Sequence, residues 1–99
     1  MKKYIDNIRA GQSVIALLSV GVETTRHGEK IRLRKGGREI DSTYSVDEAI
    51  RILRYTNAVI EFDAGSKLSD AILKSGLKIV EKEPDYNYID TSHNLYLEF

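Results

Sequence analysis

The stretch SVDEAIRILRYTNAVIEFDAGSKLSDAILKSGLKIVEK, residues 45–82, decides the fold class. It opens on Ser45-Val46-Asp47-Glu48, a capping box: the serine hydroxyl accepts from the Glu48 amide while the Glu48 carboxylate reaches back. Val46, Ala49, Ile50 and Leu53 then recur at i, i+3, i+4 and i+7, the stripe of one helix face, and Asp47 stands four residues before Arg51. Asn57 marks the end of that helix. Ala58–Asp63 is a short strand. Asp63-Ala64-Gly65-Ser66 is a loop whose last residue caps a second helix at 67–75, with Leu68, Ala71 and Ile72 inward and Gly76 as its stop. Leu77–Lys82 reads as another strand. A strand, a crossover containing a helix, and a strand make a parallel βαβ unit.

Towards the N-terminus the pattern changes to period two. Ser13–Thr25 is β-branched and aliphatic and suits a strand. Its stretch Val14–Leu18 is apolar on both faces, so a second subunit is expected to cover one of them. Gly21 invites a bend or bulge. Turns at His27-Gly28-Glu29 and Lys35-Gly36-Gly37 set off Lys30–Arg34 and Arg38–Tyr44, which completes a three-stranded meander. Tyr4, Ile5 and Ile8 fall at helical spacing ahead of Gly11, which predicts a short helix over residues 3–10. Towards the C-terminus Pro84 breaks the pattern. Tyr86–Asp90 and Leu95–Phe99 then flank a four-residue loop as a β-hairpin. The expected fold is α+β with a mixed sheet, one domain over residues 1–99: a meander, two short helices and a C-terminal hairpin.

Composition bounds the chemistry. The 99 residues carry 15 Lys+Arg, 15 Asp+Glu and no Cys. There is thus no disulfide framework, thiolate nucleophile or Cys-ligated zinc. With 30% charged residues and a single Met, the composition leans towards a hot habitat. Lys2 and Lys3 ahead of the apolar run Val14–Val22 mimic a signal peptide, but Asp6, Asn7, Arg9 and Gln12 intervene and no clean cleavage site follows. The run is also shorter than the ~20 residues of a membrane helix. An intracellular, soluble protein without a membrane partner is expected.

Two surfaces stand out. Residues 26–38 hold Arg26, Lys30, Arg32, Arg34, Lys35 and Arg38 against Glu29 alone, a net of +5 inside a neutral chain. Alternation puts Lys30, Arg32 and Arg34 on one strand face and Ile31 and Leu33 on the other. Such a ribbon can follow nucleic-acid phosphates. The blander reading, favoured because no aromatic residue interleaves the stripe, is a solvated face neutralised by Glu39, Asp41 and their neighbours. The second surface is the apolar face of the terminal hairpin, Tyr86, Tyr88, Leu95, Leu97 and Phe99. It packs on its own domain or is exchanged with a second copy about Glu83-Pro84-Asp85.

Enzymatic signals are thin. Asp63 precedes Gly65-Ser66 at a strand end, but without a phosphate loop it reads as an Asp-Gly turn. His27 and His93 fall in turns, and Asp90 and His93 find no third metal ligand. No Ser-His-acid set is legible, and no catalytic group, metal or cofactor is expected.

The opening MKKYIDNIRAGQSVIALLSVGVET and the closing YNYIDTSHNLYLEF resemble a small protein of the Acidianus filamentous viruses, lipothrixviruses of archaea from hot acidic springs. The resemblance runs over the whole chain and brings no functional residue with it. It implies a hot habitat, synthesis in the host cytoplasm and a role between virus and host. The expected function is a non-enzymatic, homodimeric protein acting on a host or viral protein. The alternative is a nucleic-acid binder using the basic ribbon.

Overall fold

The computed structural model describes residues 1–9 and 16–86. Its elements are β1 (Lys2–Asp6), β2 (Leu17–Thr25), β3 (Gly28–Lys35), β4 (Arg38–Thr43), α1 (Val46–Tyr55), β5 (Val59–Asp63), α2 (Ser69–Lys74) and β6 (Ile79–Val80). The strands form one mixed sheet in the order β4-β3-β2-β5-β1-β6. The fold is α+β.

The meander is antiparallel throughout, Ser19↔Arg34 to Thr25↔Gly28 between β2 and β3, and Ile31↔Thr43 to Lys35↔Arg38 between β3 and β4. Gly36 and Gly37 both take left-handed backbone angles (φ 58° and 84°), the pair of conformations a two-residue hairpin turn needs. The expected irregularity at Gly21 is absent from the β2–β3 ladder. The register shift falls instead between Leu33 and Arg34, on the β4 side.

Helix α1 follows the sequence closely, with half of its capping box. The Glu48 amide donates to Ser45 Oγ at 3.2 Å. The Ser45 amide is taken by Thr43 Oγ1 at 3.1 Å, so the Glu48 carboxylate turns to Arg51 instead, 3.8 Å away. Ala49 and Leu53 are buried, while Val46, in the first turn, stays 47% exposed on the rim. Helix α2 starts later than Ser66 predicts. The Ser66 carbonyl, not its hydroxyl, receives the Ser69 amide, and the Ser69 hydroxyl donates to the Ala64 carbonyl. Leu68 occupies the cap position without a side-chain bond.

Where the sequence predicts a helix over residues 3–10, residues 2–6 form a strand and residues 7–9 belong to no regular element; residue 10 lies outside the described residues. The spacing of Tyr4, Ile5 and Ile8 is helical, and tertiary pairing overrides it. Residues 2–6 pair antiparallel with β5 from Lys2↔Asp63 to Asp6↔Val59, and with β6 at Tyr4↔Val80 and Ile5↔Ile79. A helix there would leave both neighbours with an open edge. β5 and β6 are therefore parallel, as the βαβ reading requires, but β1 lies between them. The strand expected over 77–82 shortens to two residues.

One sheet face supplies Ile5, Leu18, Val20, Ile31, Leu33, Ile60 and Phe62 to a core closed by Ala49, Leu53, Leu68 and Ile72 of the helical segments. Full burial of such side chains stabilises by roughly 1.5–3 kcal/mol each. Polar braces tie the layers. Asn7 Nδ2 donates to the carbonyls of Leu53 and Thr56 (2.5 and 3.1 Å), and Arg54 donates to the Ser75 carbonyl at 2.7 Å. These use carbonyls that helix C-termini leave without intrahelical partners. Among the described residues no helix is long and apolar enough to cross a membrane.

Of the stretches expected to meet a second subunit, Val14, Ile15, Tyr88, Leu95, Leu97 and Phe99 lie outside the described residues. Tyr86 is described. Its hydroxyl sits 3.3 and 3.4 Å from the two carboxylate oxygens of Asp6 in its own chain. Asp6 Oδ2 is 3.5 Å from Lys78 Nζ, and its side chain is 8% exposed.

Candidate functional site

The sheet face away from the helices carries the basic stripe. Lys30, Arg32 and Arg34 alternate with the buried Ile31 and Leu33, as period two requires. Their electrostatic situations differ. Arg32 lies between two carboxylates, with Nη2 2.7 Å from Glu23 on β2 and Nε 3.3 Å from Glu39 on β4. It links three adjacent strands across the sheet. Asp41, opposite Leu33, does not take part; its Oδ1 accepts the Ser42 amide. Among the described residues no carboxylate comes within ion-pair distance of Arg26, Lys30, Arg34, Lys35 or Arg38. Arg34, Lys35 and Arg38 surround the Gly36-Gly37 turn, which places three cations at one hairpin tip.

The less expected feature lies at the centre of the sheet. β2 and β5 run parallel and pair from Leu17↔Val59 to Ser19↔Glu61 only. In that register Asp63, the last residue of β5, is level with Gly21, so β2 overhangs β5 from Val22 to Thr25. β5 ends because Asp63 Oδ1 accepts the Gly65 amide at 3.0 Å, an Asx turn that swings the chain towards α2. That amide and the chain's α-amino group, 3.8 Å away, hold the Asp63 carboxyl below its usual range. The chain leaves β2 towards β3 on one side and leaves β5 towards α2 and β6 on the other. In open sheets with parallel strands this divergence opens a crevice beyond the strands' carboxyl ends, where ligands commonly bind.

The crevice is present, about 490 Å³, between β2 and a wall of Lys2, Asp63 and Gly65–Lys67. On the open face it continues into a groove of about 340 Å³ over Gly21, flanked by Arg32 and Arg34. On the helix face it meets an apolar groove of about 290 Å³ formed by Val22, Ile31, Tyr44, Val46 and Leu68. Lys67 pairs with Glu29 across the mouth at 2.5 Å, and Lys2 pairs with Glu61 at 3.1 Å. On the same open face, loss of water contact, and then the charges of Glu61 and Glu83, raise the Tyr4 phenol above its usual range.

The alternation of Lys30, Arg32 and Arg34 is evident from residue type alone. The crevice is not, because it depends on a parallel pairing between β2 and β5 that no local pattern announces. Its only local sign is Gly21, whose missing side chain faces open space. His27 lies exposed in the β2–β3 turn, its amide donating to Thr25 Oγ1 at 3.1 Å. Among the described residues no three His, Asp or Glu side chains converge as a metal site would require. Neither the scan of protein-family models nor the searches of curated proteins and of solved structures returned a match.

Proposed function

We propose that this chain is a non-enzymatic, homodimeric binding protein of viral origin and high thermal stability. In this reading it acts in the host cytoplasm on a host or viral protein. The observation that carries a protein partner is the apolar groove on the helix face. Tyr44 and Val46, about half exposed, rim a cavity floored by Ile31 and Leu68, and Ile40 stands 47% exposed on the neighbouring strand. Half-buried aromatic and aliphatic side chains beside a preformed cavity are the anchoring geometry of protein interfaces. The test is capture from nuclease-treated host lysate with wild type and Tyr44→Glu. Partners held by wild type and released by the variant support the reading. Equal capture by both overturns it.

A second reading, nucleic-acid binding, rests on the cations Arg34, Lys35 and Arg38 at the β3–β4 tip. Mobility shift of duplex DNA in low salt, lost in added salt and abolished by Arg34→Ala with Lys35→Ala, would favour it. No shift in low salt would exclude it.

A further inference from the structure

We propose that the crevice at the end of β5 takes an extended peptide that adds to the overhanging edge of β2, alternating an apolar with an acidic residue. This deepens the protein-partner reading and rests on it.

The Val59 amide donates to the Ala16 carbonyl at 3.0 Å, which fixes the phase of β2. Even-numbered residues turn their backbone groups towards β5 and odd-numbered ones towards β3. The Thr25↔Gly28 pair that closes the two-residue β2–β3 turn agrees with that phase. The β5 ladder stops at Ser19↔Glu61, so the amides and carbonyls of Val22 and Thr24 face the crevice. Among the described residues neither has a ladder partner on that side. They form an edge in the middle of a sheet, where an incoming strand gains main-chain hydrogen bonds.

The side chains of such a strand would point alternately to the two faces. On one side the next position meets Val22, Ile31, Tyr44, Val46 and Leu68, which suits an aliphatic residue. On the other it enters the groove over Gly21, where nothing lies within 4 Å of the place a Cβ would occupy. That groove contains three cations, Lys2, Arg32 and Arg34, against Glu23 and Glu61. Lys2 and Arg32 are already paired with those two carboxylates. Arg32 is also shared with Glu39, so the paired groups leave no excess positive charge; among the described residues the groove's cation without a carboxylate is Arg34, whose guanidinium suits an acidic side chain. The crevice volume falls within the range of preformed ligand pockets, roughly 300–1,000 Å³.

The experiment titrates the full chain, labelled for amide NMR, with a capped seven-residue peptide alternating Val and Asp. Controls alternate Val with Lys, or Ser with Asp. Binding of the Val/Asp peptide is expected at least tenfold tighter than either control, with amide exchange at Val22 and Thr24 slowed by its presence. Gly21→Ile fills the open-face groove at a position with ordinary strand geometry. Thr24→Pro removes an amide that the β3 ladder does not use. Each variant, with its fold checked by its amide spectrum, should lose the peptide at least tenfold. Undiminished binding to whichever variant is folded overturns the proposal, as does binding that ignores the alternation. A dimer that Gly21→Ile dissociates, without peptide binding, would assign the crevice to a second copy and also overturn it. Partner capture that survives Gly21→Ile but not Tyr44→Glu would remove the crevice from the account and leave the protein-partner reading standing.

Discussion

Arg32 tests whether the basic stripe is partly structural. Its guanidinium, 26% exposed, reaches Glu23 and Glu39 at 2.7 and 3.3 Å, and those carboxylates are 49% and 36% exposed. Exposed ion pairs contribute up to about 1 kcal/mol each. Arg32→Ala deletes both and leaves two carboxylates facing each other across β3. Solvent screening reduces the sum, so the expected loss is about 1–2 kcal/mol. For a domain of this size each kcal/mol moves the midpoint by roughly 4–8 °C. Urea and thermal unfolding should therefore show Arg32→Ala melting some 5–15 °C below wild type, with an unchanged urea slope. Arg34→Ala should fall within about 0.5 kcal/mol of wild type. A double-mutant cycle with Glu23→Gln should return a favourable coupling that shrinks in 1 M salt. If Arg32→Ala unfolds with wild type while Arg34→Ala does not, the reasoning about this face is refuted.

The other predictions concern the core, the braces and pH. Phe62→Ala, at a site 1% exposed, should cost about 3–5 kcal/mol by urea unfolding. Asn7→Ala should cost about 1–2 kcal/mol, because the carbonyls of Leu53 in α1 and of its cap Thr56 lose this donor, and should speed amide exchange at Leu53 and Thr56. Asp63 has a folded pKa below its ordinary 3.8, so its stabilising contribution is present above that value and is lost as pH falls through the lowered one. Asp63→Asn, which keeps an acceptor for the Gly65 amide, should flatten the stability profile below about pH 4. Tyr4 has the opposite sign. Its raised pKa contributes below the ordinary value of 10.0 and is lost as pH rises past the folded one, so Tyr4→Phe should be the more resistant form in alkali.

Local rules made part of this fold legible. The stripe Ala49, Ile50, Leu53, the hydroxyl cap at Ser45 and the Gly36-Gly37 turn depend only on neighbours in sequence, and the structure has each of them. The meander follows because its turns fix its register. Legibility ended where pairing became non-local. Tyr4, Ile5 and Ile8 are spaced as on a helix, and only the edges of β5 and β6 make residues 2–6 a strand. The same limit explains why Glu23 was not read as a partner of Arg32. Glu39 could be anticipated across a hairpin, but Glu23 requires the register of β2 as well. Most consequentially, the parallel β2–β5 pair joins residues about forty positions apart and leaves no signature in either segment.

Beyond Ser19, β2 presents an open inner edge. Native-state amide exchange of the free protein, followed residue by residue, addresses it directly. Slow exchange is expected at Gly21 and Glu23, whose amides face β3, and exchange at least tenfold faster at Val22 and Thr24, whose amides face the crevice. Equal protection along all four residues would contradict it.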